Sequence, residues 1–186
     1  GAGKTTAIKA MLDMNRPDSG TIRLLGQEIS AEQRNEIGVV LDEVGLPEGL
    51  NTKQIGRIMK NSFKNWQSDV YENYLKKFSL PDNKKFKTFS KGMKMKLGLA
   101  IALSHQAKLL ILDEPTAGLD PLVREELLEI LNDFTREDDH AILISSHIVS
   151  DLEKICDYIA FLHKGKLMLC EEKDRLLEQY GFIQTT

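Results

Sequence analysis

Cys156 and Cys170 are the chain's only cysteines, and their separation is not that of a metal site. Two unpaired thiols exclude a disulfide scaffold and suit a reducing cytoplasm. No apolar run approaches the ~20 residues a membrane helix needs, so the chain is not expected to cross a bilayer by a helix. Any membrane contact must then come through a partner. Neither charge sign is in large excess. The 25 basic and 28 acidic residues give a net charge of −3, which provides no bulk electrostatic case for nucleic acid. Lysines do gather locally, at 84, 85, 87, 91, 94 and 96, and a solvated helix face accounts for them. There is no internal repeat, no low-complexity stretch, no signal peptide and no initiating Met. At 186 residues the expectation is one α/β domain with a sizeable core and room for a subdomain.

The most informative segment is Leu109-Leu110-Ile111-Leu112-Asp113-Glu114-Pro115-Thr116-Ala117-Gly118-Leu119-Asp120. Four apolar residues in a row bounded by a turn signal predict a strand buried on both faces, as in a parallel sheet. Such strands normally end in turn residues rather than in an Asp-Glu pair. Acids at the carboxyl end of the strand lie where open α/β sheets bind ligands. One carboxylate can hold Mg²⁺ while its neighbour, facing the other way, polarises a water. Two solvated acids at an exposed strand end are the alternative.

Gly1-Ala2-Gly3-Lys4-Thr5-Thr6 matches the last five positions of the phosphate-binding pattern G-x-x-x-x-G-K-[ST], plus one residue. Glycines let backbone N–H groups close around a β-phosphate, Lys4 reaches the β- and γ-phosphates, and the Thr5 hydroxyl joins a Mg²⁺ shell. Ala7, Ile8, Ala10, Met11 and Leu12 suit a helix whose positive end faces those phosphates, ending near Asp13. A GKT triplet alone is a weak signal. Combined with a buried strand ending in Asp-Glu it is a strong one, because each supplies what the other lacks.

Three more segments complete a pattern. Phe89-Ser90-Lys91-Gly92-Met93 opens an apolar helix, Pro115–Asp120 follows the acids, and Ser145-Ser146-His147 ends the next apolar strand. Ser90 reads as a helix N-cap or, with Gly92 and the helix start, as an anion site for a γ-phosphate. His147 reads as a neutral strand-end histidine or as a contact to the γ-phosphate or the attacking water. Asp120 before Pro121 is an ideal helix start. In this order the segments resemble the nucleotide-binding domain of ATP-binding cassette (ABC) ATPases: P-loop, signature, Walker B, D-loop and H-loop. The resemblance covers essentially the whole chain.

That resemblance implies an α/β fold, a P-loop NTPase parallel-sheet core with an inserted helical subdomain and an antiparallel carboxyl-terminal hairpin. It places the core at 1–43 and 108–186 and the helical subdomain at 44–107. It implies ATP and Mg²⁺ as ligands, with Asp113 and Thr5 on the metal. Glu114 is then the base or water-positioner, His147 stabilises developing charge, and Asp120 serves the D-loop. Two copies, identical or paralogous, would sandwich ATP head to tail, each bringing Ser90 and Gly92 to the other's P-loop. Transmembrane permease subunits would anchor the pair at the inner face of the membrane. A soluble ABC ATPase acting on ribosomes or DNA, and an inactive copy, are the competing readings.

Departures from the family pattern are informative too. The usual Leu-Ser-Gly-Gly-Gln signature reads Phe-Ser-Lys-Gly-Met, which looks like ATPases of ABC-2-type exporters, bacitracin and lantibiotic exporters included. Lys91 either adds charge near the anion site or points to solvent. Asp42 stands where the family's Q-loop glutamine is expected; a carboxylate can reach Mg²⁺ through water but donates no hydrogen bond. The first three P-loop positions and everything upstream are absent. The chain is therefore expected to be amino-terminally truncated, lacking a central strand and poorly stable alone.

Elsewhere, patterning predicts a turn at Arg16–Gly20, a strand at Thr21–Leu25 turning through Gly26-Gln27 into a second short one, and a strand at Ile37–Leu41. Helices follow at Thr52–Phe63, Asp69–Phe78 and from Ser90, with Phe63 and Trp66 packing among them. Next come a helix at Pro121–Phe134, a strand at Ala141–Ser146 and a short helix at Val149–Ile155. Strands Asp157–Leu162 and Lys166–Cys170 form a hairpin across His163-Lys164-Gly165. A last helix spans Glu172–Tyr180, closed by Gly181.

Overall fold

A computed structural model describes residues 2–179 of the chain. Helix α1 (Lys4–Met11) follows Gly3, whose φ of +101° suits a residue without a Cβ. Strand β1 (Ile37–Val40) precedes three helices, α2 (Thr52–Ser62), α3 (Ser68–Lys77) and α4 (Lys91–Leu103). Then β2 (Leu109–Asp113), α5 (Pro121–Phe134), β3 (Ala141–Ser145) and α6 (Val149–Ile155) alternate. The hairpin β4 (Tyr158–His163) and β5 (Lys166–Glu172) leads into α7 (Lys173–Gln179). The expected Gly181 helix stop lies outside the described residues.

Local chemistry sets several of these boundaries. Asn51 caps α2 through a reciprocal box, its Oδ1 accepting from the Gln54 N–H at 2.9 Å while Gln54 Oε1 accepts from the Asn51 N–H at 3.0 Å. Ser90 caps α4, accepting from the Met93 N–H at 3.2 Å. Asp120 caps α5 by accepting from the Val123 N–H at 3.0 Å, with Pro121 at the first helical position. The hairpin turns through two residues, Lys164 and Gly165, both at positive φ, so His163 pairs with Lys166 rather than lying in a three-residue loop.

β1, β2 and β3 form a parallel sheet with β2 in the centre, Val39 opposite Ile111 and Ile111 opposite Leu143. All five residues of β2 are buried. Its alternation divides the core in two. Leu110 and Leu112, with Val40 of β1, face the large cluster built by α2, α3, α4 and α5. Leu109 and Ile111, with Ile37, face Ile8 of α1 and Leu24. Asp113 continues the Leu109–Ile111 parity and so points to the side that α1 covers. β4 and β5 form a separate antiparallel sheet. Among the described residues β3 pairs on one edge only, and Leu143 on its α1 side is exposed.

The expected strand at Thr21–Leu25 does not form. A strand needs a ladder partner, and this segment makes only the isolated Leu24–Gln27 bridge, closed over Leu25 and Gly26. The lysine cluster also departs from a plain solvated face. Lys96 is largely buried and pairs with Glu126 at 2.6 Å, and Lys94 lies over the Phe86 ring at 5.1 Å. In the helical region, Trp66 tilts against Tyr71 at 5.1 Å, and Phe63 stacks on His105 at 4.0 Å, as their aromatic character implies.

α4 comes close to β1 because Gly38 presents no side chain. A Cβ there would lie 2.6 Å from Leu110 Cδ2 and 3.1 Å from the Ala102 carbonyl oxygen. Gly38→Ala is expected to destabilise the fold by ~1–3 kcal/mol through overpacking, measured as a shift in urea midpoint. His105 supplies a second test. Its ring is buried and Nδ1–H donates to the Asn35 carbonyl at 3.0 Å. Burial pulls its pKa below the usual value, against the raising effect of that carbonyl. The unfolded chain then binds more protons than the native one, so stability is full above the ordinary histidine pKa of ~6.5 and falls as pH drops below it. His105→Gln should flatten that part of the stability-versus-pH curve.

Candidate functional site

The carboxyl ends of β2 and β3, together with the start of α1, bring three charged groups from distant parts of the chain into contact. Lys4 Nζ lies 3.1 Å from Glu114 Oε1 and donates to the Ser146 carbonyl at 3.3 Å. His147 Nδ1 stands 2.7 Å from Glu114 Oε2, and the His147 N–H reaches the same oxygen at 3.3 Å. A carboxylate only accepts, so Nδ1 carries the hydrogen in this contact. Glu114 is mostly buried, whereas the His147 side chain is two-thirds exposed.

Glu114 does not simply continue the strand. Its φ of +50° ends β2 and turns the side chain toward Lys4 and His147. A non-glycine residue in this region persists only where its surroundings hold it. Here its N–H donates to the Ser145 carbonyl at 3.0 Å and to Ser145 Oγ at 3.2 Å. Partial burial works to raise the Glu114 pKa, but hydrogen bonds from Lys4 and His147 and the Lys4 charge outweigh it. The carboxyl is held below the usual carboxylate value and is ionised at neutral pH.

Asp113 is buried, and Ser145 Oγ donates to its Oδ1. Ser145 thus fixes both acids at once: the side chain of one and the backbone of the other. The remaining carboxylate oxygen of Asp113 and the Thr5 hydroxyl are hard donors that suit Mg²⁺. Among the described residues no group of three or more His, Cys, Asp or Glu is placed to enclose a metal, so a cation here would share its shell with a bound phosphate. Ala2 and Gly3 are backed by the hairpin turn, where the Gly165 N–H donates to the Ala2 carbonyl at 3.0 Å. Thr6 lies in the exposed first turn of α1, and Gly1 falls outside the described residues.

The remaining expected residues lie apart from this cluster. Ser90 and Gly92 open α4, where a Cβ on Gly92 would meet Val123 Cγ1 at 3.4 Å. Among the described residues no hydrogen bond joins them to Lys4, Glu114 or His147. Asp42, in the Q-loop position, pairs with Lys91 Nζ at 2.7 Å. The two departures from the family pattern therefore meet each other, which neither shows alone. Sequence reasoning did not single out Ser145 as a site residue, although it stands in the Ser145-Ser146-His147 run. It also missed Thr116, Arg124 and Asp151, which form a polar cluster around the buried Asp151 carboxylate.

Ser145→Ala leaves the buried Asp113 carboxylate short of a donor. It should destabilise the domain by ~1–3 kcal/mol, measured by chemical denaturation at neutral pH.

Comparison with known proteins fits this geometry. A family model described as "ABC transporter" matches residues 1–117, and one for an AAA domain matches residues 85–150. The lantibiotic transport ATP-binding protein SrtF of Streptococcus pyogenes is 39% identical over 176 residues, covering 94% of this chain and 76% of its own length. YhcH of Bacillus subtilis (strain 168), an uncharacterized ABC transporter ATP-binding protein, is 39% identical over 175 residues, 90% of this chain and 57% of its own. The bacitracin transport ATP-binding protein BcrA of Bacillus licheniformis is 36% identical, again with 90% of this chain covered but 56% of its own. The chain thus spans little more than half the length of YhcH and BcrA. A solved structure of an ATP binding subunit of an ABC transporter superposes with a TM-score of 0.84 at 30% identity, covering 96% of this chain and 77% of that one. Sequence and fold agree, and the chain belongs to the ABC transporter family as one of its ATP-binding domains.

Proposed function

We propose that this chain binds and hydrolyses Mg·ATP to drive an ABC-type exporter. The observation that carries the reading is the Lys4–Glu114–His147 arrangement, an ionised carboxylate held between a lysine at the start of α1 and a histidine. The start of α1 offers backbone N–H groups to the phosphates, with Gly1, Ala2, Gly3, Lys4, Thr5 and Thr6 around them. Lys4 leaves Glu114 when a γ-phosphate arrives, because the phosphate carries more charge than the carboxylate. Freed of Lys4, Glu114 orients or deprotonates the attacking water, and His147 stabilises the developing charge. Thr5 and Asp113 would hold Mg²⁺, which neutralises phosphate charge when bound; Asp42 would reach it only through water and only after releasing Lys91.

Ser90 and Gly92 serve the γ-phosphate of a second copy, identical or paralogous, in a head-to-tail pair completed by Asp120. Residues 1–43 and 108–186 form the catalytic core and 44–107 the helical unit. Among the described residues no helix is long and apolar enough to cross a membrane, so transmembrane permease subunits would hold the chain at the inner face. The names of SrtF and BcrA, lantibiotic and bacitracin transport ATP-binding proteins, support the transport reading.

Glu114→Gln should lower ATP turnover by ~10²–10⁴-fold, the usual contribution of a general base. ATP binding should be retained or tightened, because the amide no longer competes for Lys4. Steady-state phosphate release and a fluorescent-nucleotide titration measure the two effects. Turnover equal to the unaltered chain would remove Glu114 from the chemical step.

A further inference from the structure

A second polar cluster lies outside the Lys4–Glu114–His147 contacts and is centred on two buried side chains, Asp151 and Thr116. Asp151, in the first turn of α6, is 1% exposed, as is Thr116. Asp151 Oδ2 accepts from Thr116 Oγ1 at 2.6 Å, and Oδ1 accepts from Arg124 Nε at 2.6 Å. A second guanidinium nitrogen of Arg124, Nη2, pairs with Oδ1 and also donates to Ser150 Oγ at 2.9 Å. Both carboxylate oxygens are therefore engaged, and one partner is a forked cation that fixes direction as well as charge.

The partners' places in the chain give the cluster its significance. Thr116 is two residues beyond Glu114, inside the turn that the Ala117 N–H closes onto the Glu114 carbonyl at 3.2 Å. Arg124 follows the Asp120 cap, and its N–H donates to the Asp120 carbonyl at 3.0 Å. Asp151 is four residues beyond His147, and its N–H donates to the Ile148 carbonyl at 3.1 Å. One carboxylate thus ties together the three segments that present Glu114, Asp120 and His147. Buried ion pairs add little net stability compared with apolar packing, so stability alone is a poor reason for this one. A geometric reason is at hand: Glu114 occupies a backbone conformation that its surroundings must impose.

We propose that Asp151 is a positioning residue. Through Thr116 and Arg124 it sets the placement of the Glu114 turn and the Asp120 helix start against the His147 loop. The assignment rests on the catalytic reading of Glu114 and His147 given above.

The test compares the full chain with its Thr116→Val, Thr116→Ser and Asp151→Asn variants, well below their melting temperatures. The readouts are Mg·ATP turnover, affinity for a fluorescent ATP analogue, and amide hydrogen exchange across 114–120 and 145–149. Thr116→Val and Asp151→Asn should lower kcat by about ten- to a hundred-fold, the scale of a misplaced catalytic group. Analogue affinity should stay within about twofold, because α1 is untouched. Exchange should quicken in both segments together, and Thr116→Ser, which keeps the hydroxyl, should recover most of the turnover. Unchanged kcat per folded molecule, with a lowered Tm as the only effect, overturns the proposal. If the unaltered chain binds nucleotide without turnover, the hydrolytic reading fails on its own. Exchange then decides the positioning role: quickening in both segments supports it, and no change in either overturns it.

Discussion

β2 is paired on both edges and covered on both faces, and most of the other features depend on that confinement. A strand in this position can neither slip by one residue nor rotate, because either would drive Leu110 and Leu112 out of one cluster and Leu109 and Ile111 out of the other. The residues at its carboxyl end inherit that fixity. Asp113 is carried into a buried position on the α1 side, where a free carboxylate would be costly and Ser145 supplies the needed donor. Glu114 is the first residue released from the ladder, and its positive φ turns it into the neighbouring loop.

The charged site has the same logic in a more exposed setting. Lys4, Glu114 and His147 come from positions more than a hundred residues apart at the extremes, yet all sit at one end of the parallel sheet. A parallel arrangement places the carboxyl ends of successive strands together, and loops leaving those ends converge. The lysine and the carboxylate neutralise each other. This partnership preserves a positive group for an anionic ligand and keeps the acid ionised. Lys91 and Asp42 make a more exposed pair between the start of α4 and the loop after β1. Exposed pairs of this kind contribute ~0–1 kcal/mol, so they influence loop placement more than fold stability.

Much of this was legible from residue order. The buried strand ending in Asp-Glu, the GKT turn before a helix and the Asp120-Pro121 start all depend on neighbours within a few positions, and the structure forms each. The Val149–Ile155 helix and the hairpin follow for the same reason. Thr21–Leu25 has strand-like composition but lacks a partner among the described residues, and composition cannot supply one. Lys96 belongs to a run of lysines that looks solvated, yet Glu126, thirty residues later, draws it inward. Ser145 was visible only as a small polar residue before a histidine. Its hold on both acids depends on β2 and β3 being adjacent and in register.

The sequence by itself determined the family, the alternation of strands and helices, and the places of the Gly-Lys-Thr and Asp-Glu motifs. Those features are written in short-range spacing, which local backbone geometry converts directly into strands, turns and caps. Tertiary structure alone decided which charges meet. It paired Lys4 with Glu114, Asp42 with Lys91, and Thr116 and Arg124 with Asp151. Each pair joins segments brought together only when the sheet and its covering helices pack. Electrostatic contacts act over a few ångströms, and separation along the chain carries no record of such distances.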